Sequence, residues 1–231
     1  MDSPITFGID DATSVAVTGI EKHLRFIPLS TASLSLNADE LCGVISQQPG
    51  FLSEIQEKFP WLPVLKTLTL DENTAIRVGA LHELLQLYRS GLSRGALVAF
   101  HSRYKVLLLA HSQPLYRELG RFVATLNICC DLQAFFYDYR QRLMLLLSQP
   151  ATRRNHTNAL MHVQGYFRPH LSESQKRDLT QCIEAYRCAE VERDAPMALL
   201  MDYLTLFPND YLAQQRYFQP LPPTLKKLLE S

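Results

Sequence analysis

Histidine, cysteine and carboxylate side chains could do chemistry in this sequence, but their spacing withholds the usual arrangements. His82-Glu83-Leu84-Leu85-Gln86 stops one residue short of the zinc-protease helix. Gln86 stands where that pattern needs a second histidine, and an amide is a poor zinc ligand. His156 and His162 are six residues apart, as are Cys182 and Cys188. At about 100° per residue each pair diverges around a helix, so neither chelates a metal alone. The sequence has no phosphate-cradling glycine loop, no Gly-x-Ser-x-Gly elbow and no carboxylate pair in its basic middle. No metal or cofactor is expected. The enzyme reading that survives is a nucleic-acid-modifying activity with His101, His156 or His162 as general base.

The cations carry a stronger pattern. Pro150 cannot continue the helix before it, and Thr152 is placed to cap a new one starting at Arg153. On that helix His156, Leu160, Val163 and Phe167 form an apolar seam. The opposite side carries Arg153, Arg154, Asn158, His162 and Arg168, with Asn155 close by. Two arginines in a first turn oppose the macrodipole, so they are read as awaiting an anion from outside. Arg94, His101, Arg103 and Lys105 lie on the segment 94–111, and Arg117 and Arg121 are one turn apart on the next. Arg140 and Arg142 follow, and Tyr211-Leu-Ala-Gln-Gln-Arg-Tyr217 sets Gln215 and Arg216 between two tyrosines able to stack on bases. A lone arginine on a helix is ordinarily solvated surface; the density is the signal. His111 and His156 lie on apolar seams and read as core histidines.

The formal net charge of zero conceals a segregation. Residues 1–88 balance at −6, residues 89–170 at +8 and residues 171–231 at −2. A basic middle between acidic flanks is the footprint expected of a polyanion-binding surface. The acidic N-terminus reads as no signal peptide, and apolar runs such as Val106–Ala110 and Leu143–Leu147 are too short to span a bilayer. Five cysteines without framework spacing fit a reducing compartment, so the cytoplasm is expected, with no membrane partner.

Short strands are predicted at 3–8, 24–29 and 41–46, a helix near 50–58, and an extended exit over Phe59–Val64, where prolines exclude helix. From Thr74 the period becomes 3.6, predicting helices near 74–91, 94–111, 114–128, 132–148, 153–168, 173–190, 196–207, 210–217 and 223–229. Ser172-Glu-Ser-Gln175 is a capping-box pattern. The expected fold is mainly α: a multi-helix bundle (73–231) behind a small N-terminal α/β segment (1–72).

Four stretches carry a resemblance. They are Gly95–His111, Tyr116-Arg-Glu-Leu-Gly-Arg121, Pro150–Tyr166 and Tyr211–Tyr217, in this order. Together they resemble the YbgA-like family of bacterial proteins over roughly residues 76–220. That resemblance implies a helical domain found alone or fused behind a thiouracil-desulfidase-like domain, hence a tRNA-binding part in thiolated-tRNA metabolism. Residues 1–70 are similar to a shrunken desulfidase domain, with Leu24–Ser30 matching its valine-proline strand and Phe59–Val64 its exit. Desulfidases hold an iron–sulfur cluster on three cysteines, one directly after that strand. Here Ser30 stands at that point and Cys42 is the only cysteine before Cys129. The expectation is a non-catalytic RNA-binding module for tRNA. The alternatives are the histidine-based enzyme, or an adaptor whose N-terminal segment, with an exposed Trp61, recruits a desulfidase or repair enzyme.

Overall fold

The computed structural model describes residues 3–13, 23–30 and 38–230. A mainly helical chain carries a small parallel sheet near its N-terminus. Contacts divide it into two compact units. The first comprises residues 1–97, 124–148 and 221–231, and the second residues 98–123 and 149–220. The first unit therefore reaches past residue 72 and takes in helical segments from the middle and end of the chain.

In the first unit four parallel strands, β1 (Ile5–Asp10), β2 (Leu24–Leu29), β3 (Gly43–Ile45) and β4 (Val64–Leu65), lie in the order β2-β1-β3-β4. β1 lies between two neighbours, which is why its residues are almost all buried rather than alternating. Phe7 pairs with Phe26 on one side and Gly43 on the other. A Cβ on Gly43 would sit 3.1 Å from the Phe7 ring, so the glycine lets β3 close on β1. Pro28 is tolerated because β2 is an edge strand. The strand predicted at 3–8 lies two residues later, and the expected exit over Phe59–Val64 runs into the two-residue β4 at its last residue.

Helix α1 (Pro49–Lys58) follows β3, and α2 (Glu72–Arg89) is capped by Asp71, whose carboxylate accepts from the Thr74 backbone. Gly91 ends the turn after α2 at a φ of 113°, a left-handed conformation that side chains resist. α5 (Leu132–Leu147) packs on α2, and α10 (Pro223–Glu230) reaches Gly79 of α2 through Leu225. The Arg140 guanidinium lies 3.7 Å from the Trp61 ring centroid and pairs with Asp39 at 2.8 Å. Trp61 is only 5 % exposed, which corrects the expectation of an exposed docking tryptophan.

The second unit takes α3 (Arg94–His111) from Val98 onward, α4 (Gln113–Ala124), α6 (Arg153–Phe167), α7 (Glu173–Arg187), α8 (Asp194–Leu206) and the one-turn α9 (Asp210–Ala213). Thr152 caps α6 by accepting from the Asn155 backbone, and Ser172 with Gln175 forms the predicted capping box on α7. Leu160, Val163 and Phe167 of α6 are fully buried, each contributing about 2 kcal/mol. The helix predicted over 114–128 ends at Ala124 and finishes as a 3₁₀ turn over Thr125–Ile128. The one predicted over 210–217 stops at Ala213 because Gln215 is bound elsewhere. Its amide donates to the Ser102 carbonyl at 2.9 Å and accepts from the Val106 backbone at 3.1 Å. No helix among the described residues is long and apolar enough to cross a membrane.

Candidate nucleic-acid interface

Four residues expected on the binding surface are engaged by the protein itself, Arg94 and Arg153 through backbone carbonyls and Gln215 and His101 by burial. Arg94 donates to the carbonyls of Leu126 and Cys129 at 3.2 and 2.6 Å, tying down the 3₁₀ turn. Arg153 donates to the carbonyls of Tyr186 and Val191 at 2.7 and 3.1 Å, stacks on Tyr186 and pairs with Glu192. It ties the last turn of α7 to the loop beyond it, so its guanidinium is already engaged inside the protein. Gln215 and His101 are each 3 % exposed, too deep for a polymer to touch. Asn155 is half-buried and donates to the His111 carbonyl at 2.9 Å.

The histidines lose their catalytic promise for stated reasons. Burial, with Lys105 adding to it, pushes the His101 imidazole down to about 4, so it is neutral at ordinary pH. The Arg193 guanidinium can only donate, so at 3.2 Å it claims the His156 Nε2 lone pair and leaves Nδ1–H to donate to the Tyr217 hydroxyl oxygen at 3.0 Å. That nitrogen cannot act as a base, and Tyr217, buried with it, cannot stack on a ligand. His111 donates from Nδ1 to the Gln149 carbonyl at 2.7 Å and is a core histidine. Among the described residues no group of three or more His, Cys, Asp or Glu could hold a metal ion.

The His101 assignment has a measurable consequence. As pH falls the unfolded chain takes up the proton near 6.5, while the folded protein refuses it until about 4. Stability is full above 6.5 and declines across that window by up to about 3 kcal/mol. Urea unfolding at several pH values should show this loss in the wild type and not in His101→Gln. Equal losses in both proteins would refute it.

The remaining cations face solvent. Arg117 and Arg121 of α4 and Arg154 and Arg168, at the two ends of α6, are exposed and have no internal partner among the described residues. Asn158 and His162 share the exposed stripe of α6 with Arg154, and Met161 beside them is 46 % exposed. Arg103, Lys105 and Arg216 are half-buried. In the second unit, segments 98–123 and 149–170 hold seven Lys/Arg against the single carboxylate of Glu118.

Sequence reading missed a cluster of tyrosines in this unit. Tyr116 of α4, Tyr166 of α6 and Tyr211 of α9 are half-buried. Tyr166 and Tyr211 stack with centroids 5.3 Å apart and planes 25° apart, and the His162 ring meets Tyr166 edge-on at 5.7 Å. Burial raises the Tyr116 and Tyr211 hydroxyls above their usual range, reinforced in both by Tyr166, so these two members of the cluster stay neutral. Gly120 and Gly165, one turn and one residue from its members, have nothing within 4 Å of the place a Cβ would take. A helical glycine costs about 1 kcal/mol relative to alanine, and no internal packing accounts for these two. They were the signal available in the sequence: two glycines inside strong helices, each beside a tyrosine. The surface offers cations, ring faces and open backbone, which suit a phosphate chain bearing flat groups.

A second feature lies in the same unit. A cavity of about 290 Å³ is bordered by Arg103, Leu204, Gln214, Arg216, Phe218 and Gln219.

Residues 105–222 match the family described as a protein of unknown function (DUF1722). The chain is also 49 % identical over 152 residues to an uncharacterized protein, YbgA, of Escherichia coli (strain K12), a match that spans 66 % of this chain and 90 % of that protein. The chain belongs to this YbgA-like family. No solved structure matches it. The matched region runs from Lys105 to Pro222, so it holds α4, α6, the tyrosine cluster and every residue bordering the cavity except Arg103, whereas the sheet lies outside it.

The sheet-bearing segment does not fit the iron–sulfur cluster considered from the sequence. Ser30 follows β2 where a thiolate is needed. Cys42 is buried and its thiol is pushed up to about 12 by burial, so it stays protonated 3.8 Å from His82. At the switch point between β1 and β3, where ligands of open parallel sheets bind, the Asp10 carboxylate is already taken by the Ser46 hydroxyl and the Ala12 backbone.

Proposed function

We propose that the second unit binds structured RNA, with tRNA as the expected class, and does so without chemistry of its own. The observation that carries this reading is four exposed arginines on or next to α4 and α6, without internal partners among the described residues; the same two helices supply Tyr116 and Tyr166 of the tyrosine cluster. Arg117, Arg121, Arg154 and Arg168 contact phosphates. Asn158 and His162 supply hydrogen bonds to sugar or base edges, and the Tyr166–Tyr211 pair offers a ring face for stacking. The tRNA class, the link to thiolated-tRNA metabolism and the cytoplasmic setting come from the family resemblance, and five free cysteines suit that compartment.

Filter binding of total tRNA over a salt series tests the reading. The logarithm of the affinity should fall linearly with that of salt, with a slope near −4 for about four phosphate contacts. Absence of binding at low salt would overturn it. His162 is the one histidine of the enzyme alternative left accessible, and no charged partner orients it. The adaptor alternative loses its support with the burial of Trp61.

A further inference from the structure

We propose that the cavity behind α9 is a binding site for one nucleotide, either a residue of the bound RNA or a free nucleoside monophosphate. The choice of ligand rests on the RNA-binding reading; the site rests on its own geometry. Its volume of about 290 Å³ lies at the lower end of small-molecule pockets, which begin near ~300 Å³, so it suits one nucleotide and not two. Two of its bordering side chains, Arg103 and Arg216, are cationic, and none is acidic, so an anion is favoured. Leu204 and Phe218 give apolar faces for a flat ring, and the amides of Gln214 and Gln219 can each donate and accept, as base edges require.

The border is built in advance. The Arg216 backbone donates to the Arg103 carbonyl at 2.9 Å, so both guanidinium stems spring from one fixed point. Gln215 between them is locked to Ser102 and Val106 of α3. A site whose side chains leave a pinned backbone loses little entropy on binding. This also explains why the Tyr211–Tyr217 stretch leaves the helix early: unwinding after Ala213 is what delivers Gln214 and Arg216 to the cavity.

Calorimetric titration of the full chain with the four 5′-mononucleotides, the matching nucleosides and inorganic phosphate tests the assignment. Saturable mononucleotide binding is expected, about tenfold weaker for nucleosides, and about tenfold weaker again in Arg216→Met. Gln214→Trp, at an exposed position, should block the cavity without unfolding the chain, as checked by circular dichroism. If both variants also weaken tRNA binding, the occupant is a residue of the RNA, whether or not free nucleotides bind. If they abolish mononucleotide binding and leave tRNA affinity intact, the occupant is a free nucleotide. No uptake of any mononucleotide, with unchanged tRNA affinity in both variants, would overturn the proposal while leaving the RNA reading standing. Phosphate binding as tightly as the nucleotides would also overturn it. A wild type that binds mononucleotides but no tRNA would sink the RNA reading and keep the site.

Discussion

Replacing Arg117, Arg121, Arg154 and Arg168 together by glutamine will weaken tRNA binding by about three orders of magnitude near ~0.1 M salt. Each phosphate contact contributes about 0.9 to the salt slope, so four losses amount to between three and four decades against a ~1 M reference. The slope itself should fall towards zero. The folded protein should be indifferent, because all four side chains are exposed and make no internal bond among the described residues. An unchanged melting temperature, read by circular dichroism, is part of the prediction. Arg177 of α7 is the control: it is exposed too, but its helix also carries Glu173, Asp178 and Glu184. Arg177→Gln should reduce affinity several-fold at most. A quadruple variant that binds like the wild type would place the RNA elsewhere.

Arg153→Ala will do the reverse, lowering stability by about 3 kcal/mol and leaving the RNA affinity of the folded protein near that of the wild type. Its guanidinium makes two charge-assisted bonds, to the Tyr186 carbonyl in the last turn of α7 and the Val191 carbonyl in the loop beyond, each contributing about 1.5 kcal/mol net. Stacking on Tyr186 adds somewhat under about 1 kcal/mol, while the pair with the exposed Glu192 contributes little. The melting temperature should drop by about 10 °C. Arg153→Lys should recover only part of this, since an ammonium loses the planar stacking on Tyr186 and the second nitrogen that reaches Glu192. Arg154→Ala, one residue on, should leave the melting temperature unchanged and weaken tRNA binding. If both substitutions had the same stability effect, the inward and outward roles assigned to this pair would be wrong.

That pair shows how far the sequence could be read. Two adjacent arginines look alike in one dimension, and which one turns inward depends on the Tyr186 and Val191 carbonyls, 33 and 38 residues later. Caps and periodicity are local, so Thr152, the Ser172–Gln175 box and the span of α3 were legible. The helix predicted over 210–217 failed at Gln215, whose bonds to Ser102 and Val106 override a continuing apolar period. β4 was invisible because two residues carry no alternation, and only its pairing with β3 defines it. The density of cations was readable, but not their division. Arg94 was lost to backbone carbonyls and His101 to burial, while Arg117 and Arg168 stayed at the surface. Tyr116 and Tyr166 stood in the sequence as ends of motifs, and only the fold makes them neighbours of Tyr211.

The most direct test of the polyanion face is a map of where RNA touches the protein. Total tRNA bound to the full chain is cross-linked by ultraviolet light, digested and read peptide by peptide. Adducts should concentrate in residues 113–124, 153–168 and 210–213, with Tyr166 and Tyr211 prominent because stacked rings cross-link well. Adducts confined to residues 3–97 or to α7 and α8, with α4 and α6 unmarked, would contradict the account.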